Sequence, residues 1–261
     1  TSHAIRIRSG CVDTVIDRCF VYGGYYGILN EAGDTLLSNN SIVANTYGPG
    51  SICTRSTGMY IQRCKLDQAW PYAQPAYPLT VTARANATVY AAGAVVTYQS
   101  FYLQATVGGT SHASTGPTIA GYTTAFTDGT VTWKLVAPVA SASLICDTGA
   151  SETHVIQTDF SGCWHNGIKH ADSLAGTAPN FTHITDCTVG QTISHGIEIL
   201  IGHTLAVKGG ELAAGLVAGS AAIINGSSFS GDLIVANNSL AFGTFGVYVG
   251  ASASNSARAL I

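Results

Sequence analysis

The feature that most constrains the fold is a short pattern that recurs along the chain. It is clearest at Ile184-Thr-Asp-Cys-Thr-Val189, where an apolar lead residue is followed by a small polar turn and a second apolar residue. A period of about two dozen residues with short apolar segments is typical of a solenoid, in which each repeat contacts only its neighbours. The lead residues, spaced 21, 24, 95, 28, 23 and 28 residues apart, are Ile16, Leu37, Ile61, Ile156, Ile184, Val207 and Val235.

A second apolar column lies about ten residues upstream of each lead residue. Its segments are short and end in Gly, Asn or other polar turn residues, which indicates strands rather than helices. Strands stacked at about 4.8 Å per repeat would pair in parallel and share one continuous core. We expect this column to contain Ile5, Ile28, Ile52, Leu144, Ile168, Ile197, Ala222 and Val247.

The turn after each lead residue carries small side chains that can stack from one repeat to the next. The two columns and this turn predict an all-β chain, a right-handed parallel β-helix of about eight rungs. An all-helical solenoid fits poorly, because the segments are short and β-branched. The predicted turn column contains Cys19, Asn40, Cys64, Asp159, Cys187, Gly210 and Asn238.

The interval of 95 residues predicts an inserted module. Residues 73–140 change character, with longer alternating segments and a hairpin signal at Asp128-Gly129. We therefore predict β-helix rungs over 1–72, a small antiparallel β module over 73–140, and further β-helix rungs over 141–261.

Composition narrows the possible partners and cofactors. Only 10% of the residues are charged, and the 11 Lys and Arg residues are scattered, so we expect no nucleic-acid partner. No apolar run is long enough for a membrane span, so we expect no membrane insertion. The seven Cys residues form no C-x-x-C pair and are expected as buried thiols. Cys163, His165 and His170 follow no known ligand spacing, so we expect neither a metal nor any other cofactor.

The inserted segment resembles the small carbohydrate-binding-like modules of bacteriophage tail proteins. A β-helix with such a module is similar to phage tailspikes and tail-associated polysaccharide depolymerases. The resemblance implies a homotrimer on the virion tail that folds in the host cytoplasm and acts outside the cell. It also implies binding, and often cleavage, of a bacterial surface polysaccharide such as capsule or O-antigen. The matching residues, over about 50 positions, are Tyr90, Gly93, Val95-Val96, Tyr102, Gly109-Thr110-Ser111, Pro117 and Asp128-Gly129-Thr130-Val131-Thr132-Trp133.

Aromatic residues recur where one rung leads into the next. Stacked rungs would gather them along one edge, where sugar rings could pack their C–H faces on aromatic faces. The alternative is that these rings cover hydrophobic edges or lie in a trimer contact. The predicted substrate-binding residues are Tyr26, Tyr47, Trp70, Tyr72, Trp164 and His165.

Charged residues occupy outward positions after the first strand of successive rungs. Glu31 and Asp147 are two rungs apart, hence separated by about 9.6 Å. This is close to the roughly 6.5–9.5 Å between the carboxyl groups of an inverting glycosidase. Arg55 lies between them and could hold one carboxylate ionised. The alternative is that Arg8, Glu31, Arg55 and Asp147 are ordinary cross-strand ion pairs.

Two further acids are candidate catalytic residues. Glu198 faces Lys169 in the neighbouring outward column, and Asp172 follows the same strand as Lys169. Three functions are therefore open: hydrolysis of a bacterial polysaccharide, glycan binding without catalysis, and a polysaccharide lyase. The lyase is the least favoured, because acids are few and dispersed.

Overall fold

The described residues of the computed structural model contain strands and turns and no helix. They are residues 2–44, 48–68, 70–76, 79–119, 121, 124–160, 162, 165–170, 178–190, 192–202, 204–215, 217–229, 231–250 and 258–260. Three predicted site residues, Tyr47, Trp164 and Asp172, lie outside these ranges.

Three parallel sheets form the walls of a parallel β-helix, which confirms the predicted fold class. Sheet I contains Ile5–Ile7, Tyr26–Asn30, Gly50–Thr54, Ala142–Cys146, Asn166–His170, Ile197–Gly202, Ala221–Phe229 and Phe245–Val249. Sheet II contains Thr14–Asp17, Thr35–Ser38, Met59–Gln62, Ser151–Ile156, Asn180–Thr185, Leu205–Lys208, Asp232–Ala236 and Arg258–Leu260. Sheet III contains Phe20–Tyr22, Ser41–Ala44, Lys65–Gln68, Asp159–Phe160, Thr188–Val189, Glu211–Ala213 and Ser239–Ala241.

The predicted columns stack in register, with two positions corrected. In sheet I, Ile223 and not Ala222 pairs between Ile197 and Val247. In sheet II, Val155 and not Ile156 pairs with Ile61 and Ile184. The sheet II column is therefore Ile16, Leu37, Ile61, Val155, Ile184, Val207 and Val235.

The inward side chains of all three sheets form one apolar core along the stack. Sheet III supplies a third inward column, which corresponds to the second apolar residue after the turn in the sequence pattern. Each rung thus buries residues from three walls, and no single rung could bury them alone. The third column is Val21, Ile42, Leu66, Phe160, Val189, Leu212 and Leu240.

The turn between sheets II and III carries the predicted ladder of small polar side chains. The Asn40 side chain accepts a hydrogen bond from the Cys19 N–H (2.8 Å) and donates one to the Ile16 carbonyl (2.7 Å). Cys64 lies in the rung after Asn40, and its N–H donates to the Thr158 hydroxyl of the following rung (3.4 Å). Thr158, and not Asp159, therefore occupies this column, and Asp159 pairs with Lys65 at the start of sheet III.

The cysteines agree in part with the expected buried thiols. Cys53, Cys64, Cys146 and Cys187 are buried and free, and burial raises the pKa of the Cys187 thiol to about 11. Cys11 and Cys19, near the first rung, are exposed instead, and Cys163 lies outside the described residues.

The strands between the third and fourth rungs form a separate small sheet. Its order is Thr82–Ala83, Val95–Tyr98, Phe101–Val107, Val131–Pro138 and Phe126–Asp128, and only the first pair is parallel. Val89–Tyr90 pairs with Gly109–Thr110 beside it. Asp128 pairs with Val131 across Gly129, which has a positive φ of 68°, so the predicted hairpin is present.

A buried carboxylate holds the loops of this sheet together. Asp128 accepts two hydrogen bonds from the Arg84 guanidinium, at 2.8 and 2.9 Å, and one from the His112 N–H at 2.9 Å. The Trp133 indole N–H donates a further bond at 3.3 Å. Burial by itself would raise the pKa of Asp128, but these donors hold it below its usual value.

The small sheet packs against the side of the β-helix. Tyr102, Val136 and neighbouring apolar residues of the sheet contact Ile193 of the stack. The Gln68 side-chain amide donates to the Val136 carbonyl at 2.7 Å. The contact is therefore both apolar and hydrogen-bonded.

Candidate ligand-binding cleft

A ladder of alternating charges runs along one edge of the outer face of sheet I. Glu31, Arg55 and Asp147 follow three adjacent strands, and the Asp147 N–H donates to the Thr54 carbonyl at 2.9 Å. Arg55 Nε lies 3.0 Å from Asp147 Oδ2, and its Nη1 lies 3.9 Å from Glu31 Oε1. The other Glu31 oxygen receives Arg6 Nε at 2.8 Å, so Arg6 takes the place predicted for Arg8.

The two predicted catalytic carboxylates differ sharply in exposure. The Glu31 side chain is 23% exposed, whereas that of Asp147 is only 1% exposed. A general acid or base has to come within hydrogen-bond reach of the reacting group. The burial of Asp147 against Arg55 therefore opposes the predicted acid–base pair and favours the alternative of cross-strand ion pairs.

An apolar patch lies beside this ladder on the same outer face. The neighbouring outward column begins with Arg6, continues through three uncharged residues to Lys169, and is followed by Glu198 on the next strand. Such a patch on the outer wall is a candidate for ligand contact, because outward positions of a solenoid are more often polar. The buried residues of the patch are Tyr26, Leu29, Cys53, Ala142 and Ile145.

Two residues of the patch, Tyr26 and Ile145, form the floor of a cleft of about 330 Å³. Charged side chains from the third and fifth rungs border the apolar floor. Its lining residues are Tyr25, Tyr26, Pro49, Arg55, Ala140, Ile145 and Lys169.

Three aromatic rings are packed together at one end of the cleft. The His3 ring stacks on Tyr26, with centroids 5.5 Å apart, and Tyr25 meets Tyr26 edge to face at 5.2 Å. Burial raises the pKa of the Tyr26 phenol above its ordinary value, so the hydroxyl stays protonated. Tyr26, a predicted substrate-binding residue, is thus held in place, and Tyr25 is the more accessible ring.

Lys169 lines the cleft at the end away from the aromatic rings, and Glu198 lies beside it on the next strand. They pair across adjacent strands, as predicted, but Glu198 Oε2 accepts a hydrogen bond from the Asn166 amide at 2.5 Å. Lys169 forms no ion pair or hydrogen bond with any residue that the structure describes. The lining of the cleft therefore contains two cations, Arg55 and Lys169, and no acidic side chain.

The remaining predicted aromatic residues lie near the small sheet rather than in the cleft. Trp70 packs in the apolar contact between this sheet and the stack, and its indole N–H is buried. His165 Nδ1 lies 2.5 Å from the Tyr102 hydroxyl across the same contact. The placement of Trp70 and His165 favours the alternative interpretation, that these rings cover hydrophobic edges. Tyr72 is 55% exposed and remains accessible.

Sequence reasoning missed an aromatic ladder on the outer face of sheet II. The rings of Tyr60 and His154 stack at 4.9 Å, and those of His154 and His183 at 5.0 Å, with interplanar angles of 5° and 7°. These residues directly precede Ile61, Val155 and Ile184. Aligning the repeat on Val155 instead of Ile156 would have revealed the ladder.

The described ranges contain no group of three or more His, Cys, Asp or Glu that could hold a metal ion. They also contain no helix long and apolar enough to span a membrane. Comparison of the chain with protein families, curated proteins and solved structures found no match. The function is therefore inferred from the cleft itself.

Proposed function

We propose that this protein is a tailspike-like receptor-binding protein that recognises a bacterial surface polysaccharide. The observation that carries the proposal is the cleft on sheet I, where Tyr25 and Tyr26 lie beside Arg55 and Lys169. The resemblance of a β-helix with an inserted β module to phage tail proteins also supports the proposal. In this proposal the protein acts outside the cell as a homotrimer on a virion tail.

The chemistry of the cleft suits a saccharide. Its volume of about 330 Å³ is at the lower end of the roughly 300–1,000 Å³ of ligand pockets. A sugar ring can lay its C–H face on an aromatic ring, and Tyr offers a hydroxyl beside that apolar surface. The neighbouring cations can donate charge-assisted hydrogen bonds to sugar oxygens.

Subunit association is supported by apolar side chains that remain on the surface. Val15, Phe20 and Tyr22 of the first rung are each more than 60% exposed, and the Phe20 and Tyr22 rings stack at 6.5 Å. Exposed apolar patches of this kind mark interaction sites.

The positions of the acids of sheet I do not fit a hydrolytic pair, so recognition is better supported than hydrolysis. Asp147 is buried and paired with Arg55. Glu198 is four rungs from Glu31, hence about 19 Å away, well beyond the roughly 6.5–9.5 Å of a glycosidase pair. We therefore propose glycan binding as the function of the cleft.

The test is binding of purified capsule and O-antigen polysaccharides to the immobilised protein, measured by biolayer interferometry. Tyr25→Ala removes the accessible ring of the cleft, and we expect its affinity to fall about tenfold, equivalent to about 1.4 kcal/mol. Tyr60→Ala removes an exposed tyrosine of sheet II and serves as the matched control, with unchanged affinity expected. Thermal melts establish that both variants fold. Equal affinities of wild type and Tyr25→Ala would refute the proposed site.

A further inference from the structure

The charge in the cleft narrows the class of sugar that it can bind. Arg55 and Lys169 line the cleft, no acid does, and Lys169 has no carboxylate within 4.0 Å among the described residues. Glu198, on the adjacent strand, accepts a hydrogen bond from Asn166. An ammonium group beside an apolar floor is poorly solvated by the protein, and an anionic ligand would complement it.

Arg55 supplies hydrogen-bond donors to the cleft in addition to the Lys169 ammonium group. Its Nε is used by Asp147, and its Nη1 is 3.9 Å from Glu31, which leaves Nη2 without a hydrogen bond to any described residue. The side chain is 24% exposed where it lines the cleft. A guanidinium offers five N–H donors in a planar fork, so it can hold a second acceptor while it stays paired with Asp147.

The two cations lie on strands separated by one other strand, and Arg55 is two residues beyond Cys53, the residue in register with Lys169. Their backbones are therefore about 12 Å apart. Ile145, on the strand between them, forms the floor of this gap and bears no charge. An anionic group placed over Ile145 could therefore contact Arg55 from one side and Lys169 from the other. The sugar ring that carries it would then extend toward Tyr25 and Pro49.

We propose that the cleft recognises an acidic saccharide, with the sugar carboxylate bound between Arg55 and Lys169. This inference rests on the proposed glycan-binding function and specifies its substrate class. The apolar floor excludes water from the carboxylate, which strengthens both charged contacts. A neutral sugar could accept hydrogen bonds from Arg55 and Lys169 but would form no ion pair with either.

The experiment compares polysaccharides that differ only at the carboxyl group. Polygalacturonate, hyaluronate, polysialate and acidic capsules are each offered in native form and after chemical reduction of the carboxylates to alcohols. We expect at least one native polymer to bind and its reduced form to bind at least tenfold more weakly. Lys169→Met, which keeps the aliphatic stem, should lose about tenfold in affinity for the native polymer. Lys208→Met, at an exposed lysine of sheet II, is the matched control and should bind as wild type.

The outcomes separate this inference from the proposed function. Equal binding of native and reduced polymers, or wild-type affinity in Lys169→Met, overturns the acidic-saccharide inference and leaves glycan recognition intact. Failure of the wild-type protein to bind any acidic, reduced or neutral polysaccharide overturns the proposed function itself.

Discussion

Acidification should weaken this protein, and among its histidines the pKa shift is largest at His165. His165 lies at the contact between the small sheet and the β-helix, where its Nδ1 meets the Tyr102 hydroxyl at 2.5 Å. Burial, with smaller effects of His195 and Lys169, lowers the pKa of His165 from 6.5 to about 4. The folded state therefore favours the neutral imidazole, which shares a hydrogen bond with the Tyr102 hydroxyl.

The sign and size of the effect follow from linkage. Because the pKa is lower in the folded state than in the unfolded state, the contribution of His165 to stability is complete above pH 6.5. It is lost as the pH falls toward 4, since the unfolded chain then binds a proton that the folded state resists. A shift from 6.5 to about 4 corresponds to a loss of about 3 kcal/mol by pH 4. For a chain of this size that is a melting-temperature change of roughly 6–12 °C.

Scanning calorimetry from pH 7 to pH 4 on wild type and His165→Asn would measure this contribution. The Asn side-chain oxygen can accept the Tyr102 hydrogen bond near the position of Nδ1 but cannot take up a proton. We expect the variant to lose about 3 kcal/mol less than wild type over this interval. Tyr102→Phe is a second control and should keep most of the acid sensitivity, because burial is the main cause of the shift. Parallel pH profiles for wild type and His165→Asn would refute the reasoning.

Two further perturbations test the small sheet and the acids of sheet I. Asp128→Asn leaves Arg84 without its buried counter-charge, and we expect about 3 kcal/mol of destabilisation at pH 7 in denaturant unfolding followed by tryptophan fluorescence. This difference should shrink as the pH falls below 3.8, because the pKa of Asp128 is lowered in the folded state; an unchanged difference would contradict the assigned ion pair. Incubation with a bound polysaccharide should release no new reducing ends, whereas release that disappears in Glu31→Gln would establish hydrolysis at this site. Release of unsaturated sugars that absorb in the near ultraviolet would instead indicate a lyase.

The repeat along the chain determined the architecture. Apolar lead residues and small polar turns every two dozen residues are sufficient for a parallel β-helix, because each rung repeats the same local pairing. The sequence also predicted the stacked turn column that contains Asn40 and the inserted antiparallel β module. The adjacency of Glu31, Arg55 and Asp147 followed from the same register.

The exact register was ambiguous wherever two apolar residues are adjacent. Val155-Ile156 and Ala222-Ile223 each offer two candidates for one inward position, and the local sequence gives no preference between them. A slip by one residue exchanges the inner and outer faces of a strand, so only packing against the neighbouring rungs selects the register. That ambiguity displaced Asp159 from its true position and concealed the ring ladder that contains His154.

Burial at the candidate site depends on contacts between distant parts of the chain. Asp147 and Glu31 occupy equivalent positions in the repeat, yet one is enclosed and the other is partly exposed. Trp70 and His165 are partly buried because the small sheet packs against the stack beside them, which the local pattern around either residue does not encode. The sequence specified which residues share a column, and the tertiary packing decided which of them reach solvent.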